Sequence, residues 1–123
     1  MPRTILVVED EPSIAEIVAL SLKTVGYAVA VAGDGRAALG RLAEARYDLV
    51  LSDMMMPFLD GAGLATAMHA DPALRDIPLI LMSAVHRSPA LAVPHAAFLR
   101  KPFDYEQLLA TVARVLGPDP GEQ

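Results

Sequence analysis

The chain has no cysteine, no cluster of basic residues, no apolar run of membrane length, and only two lysines, Lys23 and Lys101, against eight arginines. The lack of cysteine excludes disulfides and thiolate chemistry and is compatible with a cytoplasmic protein. A membrane span needs about eighteen apolar residues in a row, and none is present. Met1, Pro2 and Arg3 lead straight into a strand pattern rather than a signal peptide. A net charge of -5 argues against direct nucleic-acid binding, because phosphate backbones are held by clustered lysine and arginine. With 123 residues, 54% of them hydrophobic and 20% charged, the composition fits one globular domain, and no fused output domain is expected within this length. We therefore expect a cytoplasmic protein with neither a membrane nor a nucleic-acid partner of its own.

What is present is an alternation. Apolar runs of strand length fall near 3–8, 27–32, 48–53, 78–83 and 96–100, with helix-period segments between and after them. This βα repeat predicts a parallel sheet covered on both faces, a three-layer α/β sandwich. The first helix opens on Pro12, where a missing N–H costs nothing. It carries Ile14, Ile17, Val18, Leu22 and Val25 on one stripe and stops at Gly26. Asp34 and Asp60 mark the next helix starts, and Asp104 with Gln107 three positions on forms a capping-box pattern before the last helix, which Gly117 and Pro118 end. Between the last two strands, Ser88 and Pro89 can open a helix, but Pro94 blocks it after barely one turn. A short or absent fourth helix is expected at 84–95. Residues 1–117 are expected to form the domain and 118–123 a frayed tail.

The ends of the apolar runs carry the chemistry. Ile5, Leu6, Val7 and Val8 run into Glu9 and Asp10; Leu49, Val50, Leu51 and Ser52 into Asp53; and Leu79 to Met82 into Ser83. Phe98, Leu99 and Arg100 deliver Lys101 before Pro102. In an open parallel sheet the carboxyl ends of the strands line one edge where ligands collect, so these side chains are candidates for one shared site. Each motif alone reads as a helix cap, a strand-end hydroxyl or a turn. Their joint order, one per strand end, resembles the receiver domain of two-component response regulators over nearly the whole chain.

That resemblance implies a flavodoxin-like fold with strand order 2-1-3-4-5, and a stand-alone signalling module controlled by phosphorylation. Asp53 matches the phosphoacceptor, which takes a phosphoryl group from a histidine kinase or a histidine phosphotransfer protein. Mg²⁺ is implied, held by Asp10, Asp53 and the Met55 backbone carbonyl, with Glu9 acting through water. A hard cation between clustered carboxylates and an incoming anion suits this chemistry. Lys101 would supply a compact positive charge for the phosphoryl oxygens, with a cis peptide before Pro102 aiming it inward. Ser83 matches the switch hydroxyl and Phe98 the switch aromatic, which together would alter the contacts made with an output protein. Like its relatives, such a module promotes only its own phosphorylation and dephosphorylation.

Two departures from the family pattern stand out. Eighteen positions separate Ser83 from Lys101, about one helical turn fewer than receivers usually have. Met55 and Val85, two beyond Asp53 and two beyond Ser83, are apolar where polar side chains would orient an attacking water, so slow self-dephosphorylation is expected. The rival readings are a degenerate receiver acting as a scaffold and a phosphatase of the haloacid dehalogenase type. The second wants an aspartate where Met55 stands. A flavodoxin-like cofactor binder needs a phosphate-cradling loop after the first strand, and Glu9, Asp10 and Glu11 would repel that phosphate. His69, His86 and His95 lack metal-ligand spacing and read as surface residues.

Overall fold

Strands buried on both faces need no polar alternation, and the apolar runs at 4–8, 49–53 and 79–83 form such strands, while those at 28–32 and 97–100 are partly exposed. The computed structural model describes residues 2–84 and 93–118. The elements are β1 (Thr4–Val8), α1 (Pro12–Thr24), β2 (Ala28–Ala32), α2 (Gly35–Glu44), β3 (Leu49–Asp53), α3 (Gly61–Ala70), β4 (Leu79–Ser83), β5 (Ala97–Arg100) and α4 (Tyr105–Leu116). All pairings are parallel, and the sheet order is β2-β1-β3-β4-β5, as the resemblance implied.

Strand alternation divides the core in two. Ile5, Val7, Leu49, Leu51, Ile80 and Met82 pack with Val18 and Leu22 of α1 and Leu108 and Val112 of α4. Leu6, Val8, Val50 and Leu81 pack with Ala38 and Leu42 of α2 and Leu64 and Met68 of α3. The sandwich therefore has α1 and α4 on one face and α2 and α3 on the other.

The helix starts follow their sequence signals. The carboxylates of Asp34 and Asp60 each accept from a backbone N–H at 2.8 Å, those of Ala37 and Gly63. Asp104 and Gln107 complete the reciprocal capping box at 2.7 and 2.9 Å. Gly26 follows α1 with φ 101°, a left-handed conformation that suits glycine. At the far end of the chain, the Arg3 guanidinium donates to the carbonyls of Leu116, Gly117 and Pro118, closing the open end of α4.

The stripe expected on α1 needs correction. Its buried residues are Ala15, Val18, Ala19 and Leu22, whereas Ile17, Leu20 and Val25 are exposed and Ile14 borders on it. A helix advances about 100° per residue, so the buried set centres between Ala15 and Leu22. Ile14 and Val25 then fall at its margin, and Ile17 lies well outside it. Small alanines let α1 lie close to the sheet, and the larger apolar residues face outward.

Of the segment 84–95, where a short or absent helix is expected, residues 85–92 lie outside the described residues, as do 119–123 of the expected tail. Ala96 N–H donates to the Leu79 carbonyl at 2.8 Å and leads the chain into β5.

Replacing Asp104 with alanine removes the carboxylate that accepts from the Gln107 N–H while leaving the backbone N–H that donates to the Gln107 side chain, and we expect a loss of about 1 kcal/mol of stability. Urea unfolding of Asp104→Ala against the parent chain measures it. An unchanged midpoint would show that the cap contributes nothing.

Candidate functional site

The sheet order places β1 beside β3, with β2 on one flank and β4 on the other. The connections leaving β1 and β3 run to opposite sides, which opens a crevice at the carboxyl ends of the strands. Glu9 follows β1, Asp53 ends β3, Ser83 ends β4 and Lys101 follows β5. Glu9, Asp53 and Ser83 are buried, and Asp10 is exposed at the rim.

The Lys101 ammonium lies 3.2 Å from Glu9 Oε1 and 3.2 Å from Asp53 Oδ2. It thus joins residues at the carboxyl ends of three different strands. Its backbone N–H also donates to the Ser83 carbonyl at 2.8 Å, and the Lys101–Pro102 peptide is cis. One carboxylate oxygen from each of Glu9, Asp10 and Asp53 falls within a set spanning 4.8 Å.

These oxygens suit a small hard cation. Magnesium takes oxygen ligands at about 2.1 Å in an octahedron, so its ligand atoms lie within about 4.2 Å of one another. Minor side-chain adjustment would bring the set to that spacing. The charge count agrees, because three carboxylates facing one ammonium leave two negative charges over.

The electrostatics of the site are frustrated. Burial pushes the Glu9 carboxyl above its ordinary range, and the neighbouring Asp53 charge pushes it further. The Glu11 N–H, donating to Glu9 Oε2 at 3.3 Å, and the Lys101 ammonium pull it down without cancelling the rise. Burial works against the Lys101 charge, but the Asp53 and Glu9 carboxylates outweigh it and hold the ammonium above its ordinary value. The fold therefore keeps Lys101 charged while leaving the acidic set in need of another cation.

The loop from β3 to α3 contributes two features that the sequence did not announce. A Cβ built on Gly61 would stand 2.6 Å from the Asp53 carbonyl oxygen and 2.9 Å from the Met54 Cα. Only glycine lets α3 begin against the backbone of the candidate phosphoacceptor, and the Gly61 N–H donates to the Met54 carbonyl at 2.9 Å. Phe58 has φ 69°, a left-handed conformation that costs a non-glycine residue about 1–2 kcal/mol. Its ring lies 5.7 Å from the Arg36 guanidinium carbon. The signal for Gly61 was its place directly after a capping aspartate, where glycine is a poor helix former.

The remaining expected residues occupy the same end of the sheet or its flank. Met55 is 70% exposed and its thioether is a poor ligand for a hard cation, so any role in metal binding belongs to its carbonyl. Phe98 pairs with Leu81 across β4 and β5 and is partly buried against the α2 and α3 side of the core. Val85 and His86 lie outside the described residues. His69 is exposed, and His95 makes a local 2.8 Å contact to the Val93 carbonyl.

Comparison with known proteins agrees with this geometry. The family model for the response regulator receiver domain matches residues 5–113. The DNA-binding response regulator MtrA of Mycolicibacterium smegmatis is 35% identical over 116 residues, covering 91% of this chain and 50% of that protein. The chain spans about half the length of the curated relatives it matches. Among solved structures, the chemotaxis response regulator CheY4 of Vibrio cholerae is 33% identical with a TM-score of 0.86, covering 94% of this chain and 99% of that one. The receiver domain of the sensor histidine kinase PA1611 from Pseudomonas aeruginosa, solved with a magnesium ion coordinated in its active site cleft, is 29% identical. Its TM-score is 0.89, and the match covers 96% of this chain and all of that one (100%).

The raised Glu9 carboxyl generates a pH prediction. A carboxyl that titrates higher when folded opposes folding once ionised, and that opposition vanishes below the ordinary glutamate range, where both states are protonated. With a chelator present, Glu9→Gln is expected to unfold at a higher urea concentration than the parent at neutral pH, and the advantage should fade on acidification. Lys101 stays charged throughout this window. A Glu9→Gln advantage that is absent at neutral pH, or unchanged in acid, contradicts the frustration described above.

Proposed function

The chain belongs to the response regulator receiver family, and from that premise we propose that Asp53 accepts a phosphoryl group from a histidine kinase or histidine phosphotransfer protein in the cytoplasm and thereby alters contacts with an output protein. The observation that carries this reading is the Lys101 ammonium shared between Asp53 and Glu9 at 3.2 Å. A purely structural ion pair balances its charges, whereas here one ammonium faces a set of three carboxylates.

In the transfer, an Asp53 carboxylate oxygen attacks phosphorus, the N–P bond of the phosphohistidine breaks, and the freed imidazole nitrogen keeps the electron pair and picks up a proton. Phosphoryl transfer depends chiefly on positioning and charge neutralisation. Asp10, Asp53 and the Met55 carbonyl, with Glu9 through water, would hold Mg²⁺, which when bound offsets the negative charge of the phosphoryl oxygens. Lys101 supplies the second positive charge from the end of β5, and Asp53 is fixed by its place at the end of a buried strand and by Gly61 beneath its carbonyl.

A protein donor is supported by the cleft next to Lys101, lined by Ile14, Ile17, Pro102 and Phe103 among others. It offers apolar surface for docking beside the acceptor. For the output, Ser83 would hydrogen-bond the phosphoryl group and Phe98 would turn into the space vacated, a packing change biased by one charged group. Both side chains lie on neighbouring strands, β4 and β5, which is the placement such coupling requires. The domain is taken as residues 1–117, and the module turns over no external metabolite.

Incubation with Mg²⁺ and a small phosphodonor such as acetyl phosphate tests the acceptor. The parent chain should gain the mass of one phosphoryl group and Asp53→Asn none. A scaffold that has lost phosphoacceptance would gain none in either case.

The apolar residues two beyond Asp53 and Ser83 leave the attacking water without a side-chain partner. Met55→Asn combined with Val85→Glu should shorten the phosphoryl lifetime about tenfold, the worth of one well-placed hydrogen bond. Following loss of the phosphorylated mass with time checks it, and an unchanged lifetime removes the explanation.

A further inference from the structure

An edge strand exposes a row of unpaired N–H and C=O groups, and proteins commonly guard it with charge, proline or a covering segment. Among the described residues, β2 and β5 are the two edges of the sheet; β5 ends on the charged Arg100, whereas the sequence of β2, Ala28-Val29-Ala30-Val31-Ala32, contains no charge and no proline. We propose that a second copy of this chain pairs with β2, edge to edge and antiparallel, giving a twofold dimer with one continuous sheet. The proposal is independent of the phosphoacceptor reading.

The backbone direction is suited to this pairing. The Ala28 N–H donates inward to the Arg3 carbonyl at 2.9 Å, and the Ala32 carbonyl accepts inward from the Glu9 N–H at 3.0 Å. By strand alternation the N–H and C=O groups of Val29 and Val31 point outward. The sequence of β2 is the same read in either direction. An antiparallel copy centred on Ala30 therefore sets Val29 against Val31 of the second copy, and Val31 against its Val29. These are the two hydrogen-bonded pairs, supplying four backbone bonds. Ala30 meets its own equivalent at the close, non-bonded position, where a small side chain fits.

The side chains above β2 are also self-complementary. A groove of about 490 Å³ runs between α1 and β2, lined by Ala15, Glu16, Ala19, Leu20, Lys23 and Val31 among others. Leu20 is 62% and Val31 37% exposed. Because α1 packs over β1 and β2, and paired strands lie about 4.8 Å apart, the two α1 helices would flank the dyad at about the 8–10 Å of packed helices. They would run antiparallel. Leu20 would then meet its equivalent over the valine pairs, and Glu16 would face Lys23 of the other copy on each side. Opposite charges seven residues apart, on either side of an apolar residue near the axis, are complementary to themselves under a twofold rotation.

Sedimentation velocity of the full chain over a micromolar concentration series reads the outcome, with circular dichroism confirming that each variant is folded. The parent should shift from monomer to dimer as concentration rises, and Val31→Lys, which places a charge on the exposed edge, should stay monomeric. Glu16→Lys alone or Lys23→Glu alone turns two attractive contacts into two repulsive ones and should weaken association about tenfold. The double exchange should restore it. Since Glu16 and Lys23 are exposed, this cycle decides the matter even where Val31→Lys fails to fold. A parent that remains monomeric throughout, a dimer indifferent to Val31→Lys, or a double exchange that does not recover association overturns the proposal.

Discussion

One ammonium shared between two carboxylates organises the functional end of this molecule. Lys101 bridges Glu9 and Asp53, so the ends of β1, β3 and β5 are tied together by charge as well as by the sheet between them. The bridge is incomplete by design of the charges: Asp10 adds a third carboxylate, and burial of Glu9 beside Asp53 keeps its carboxyl above the ordinary range. A lone ammonium cannot neutralise that set. The same imbalance that favours a divalent cation would, without one, repel an incoming phosphoryl group, so under the proposed function cation and phosphoryl group would support each other's binding.

The backbone around Asp53 is built to hold this arrangement close. Asp53 belongs to a strand buried along its whole length, and the Met54 N–H continues the pairing by donating to the Met82 carbonyl at 2.8 Å. The chain then turns out through Met55 and Phe58 and returns at Gly61, which lies against the Asp53 carbonyl. Asp60 caps α3 at that return. The left-handed Phe58 sits at the tip of the excursion, where strain is tolerated because the segments on either side are fixed.

Much of this was legible in the sequence because the signals were local. Runs such as Leu79 to Met82 announce buried parallel strands, and Asp34, Asp60 and Asp104 announce helix starts by offering side-chain acceptors to unpaired N–H groups. The acidic, hydroxyl and lysine positions were legible as strand ends. What escaped was tertiary. Lys101 and Glu9, 92 positions apart, were expected at one sheet edge, but nothing local says that they form a direct ion pair. Gly61 reads as a turn residue until the Asp53 carbonyl is seen beneath it. On α1 the apolar residues occur on more than one side of the helix, so hydrophobicity alone could not choose the buried stripe. The choice is steric: Ala15 and Ala19 permit close approach to the sheet, which Ile14 and Ile17 would prevent.

That steric choice has a consequence for the outer surface. A helix that packs through alanines must carry its large apolar residues elsewhere, and α1 carries them on two flanks. Ile14 and Ile17 border the cleft beside Lys101, while Leu20 borders the groove above β2. Exposed singly, such side chains need no explanation. Grouped at two concave places, each with polar groups at its margin, they resemble the centres of contact surfaces more than a random scatter. Because α1 is a single helix of 13 residues whose N-terminus directly follows the acidic set, a shift at its first turn would be felt on both flanks. The sequence thus uses small residues to fix α1 to the sheet and larger ones to present it outward, so that the element nearest the charged site also carries the apolar surface through which neighbours can be met.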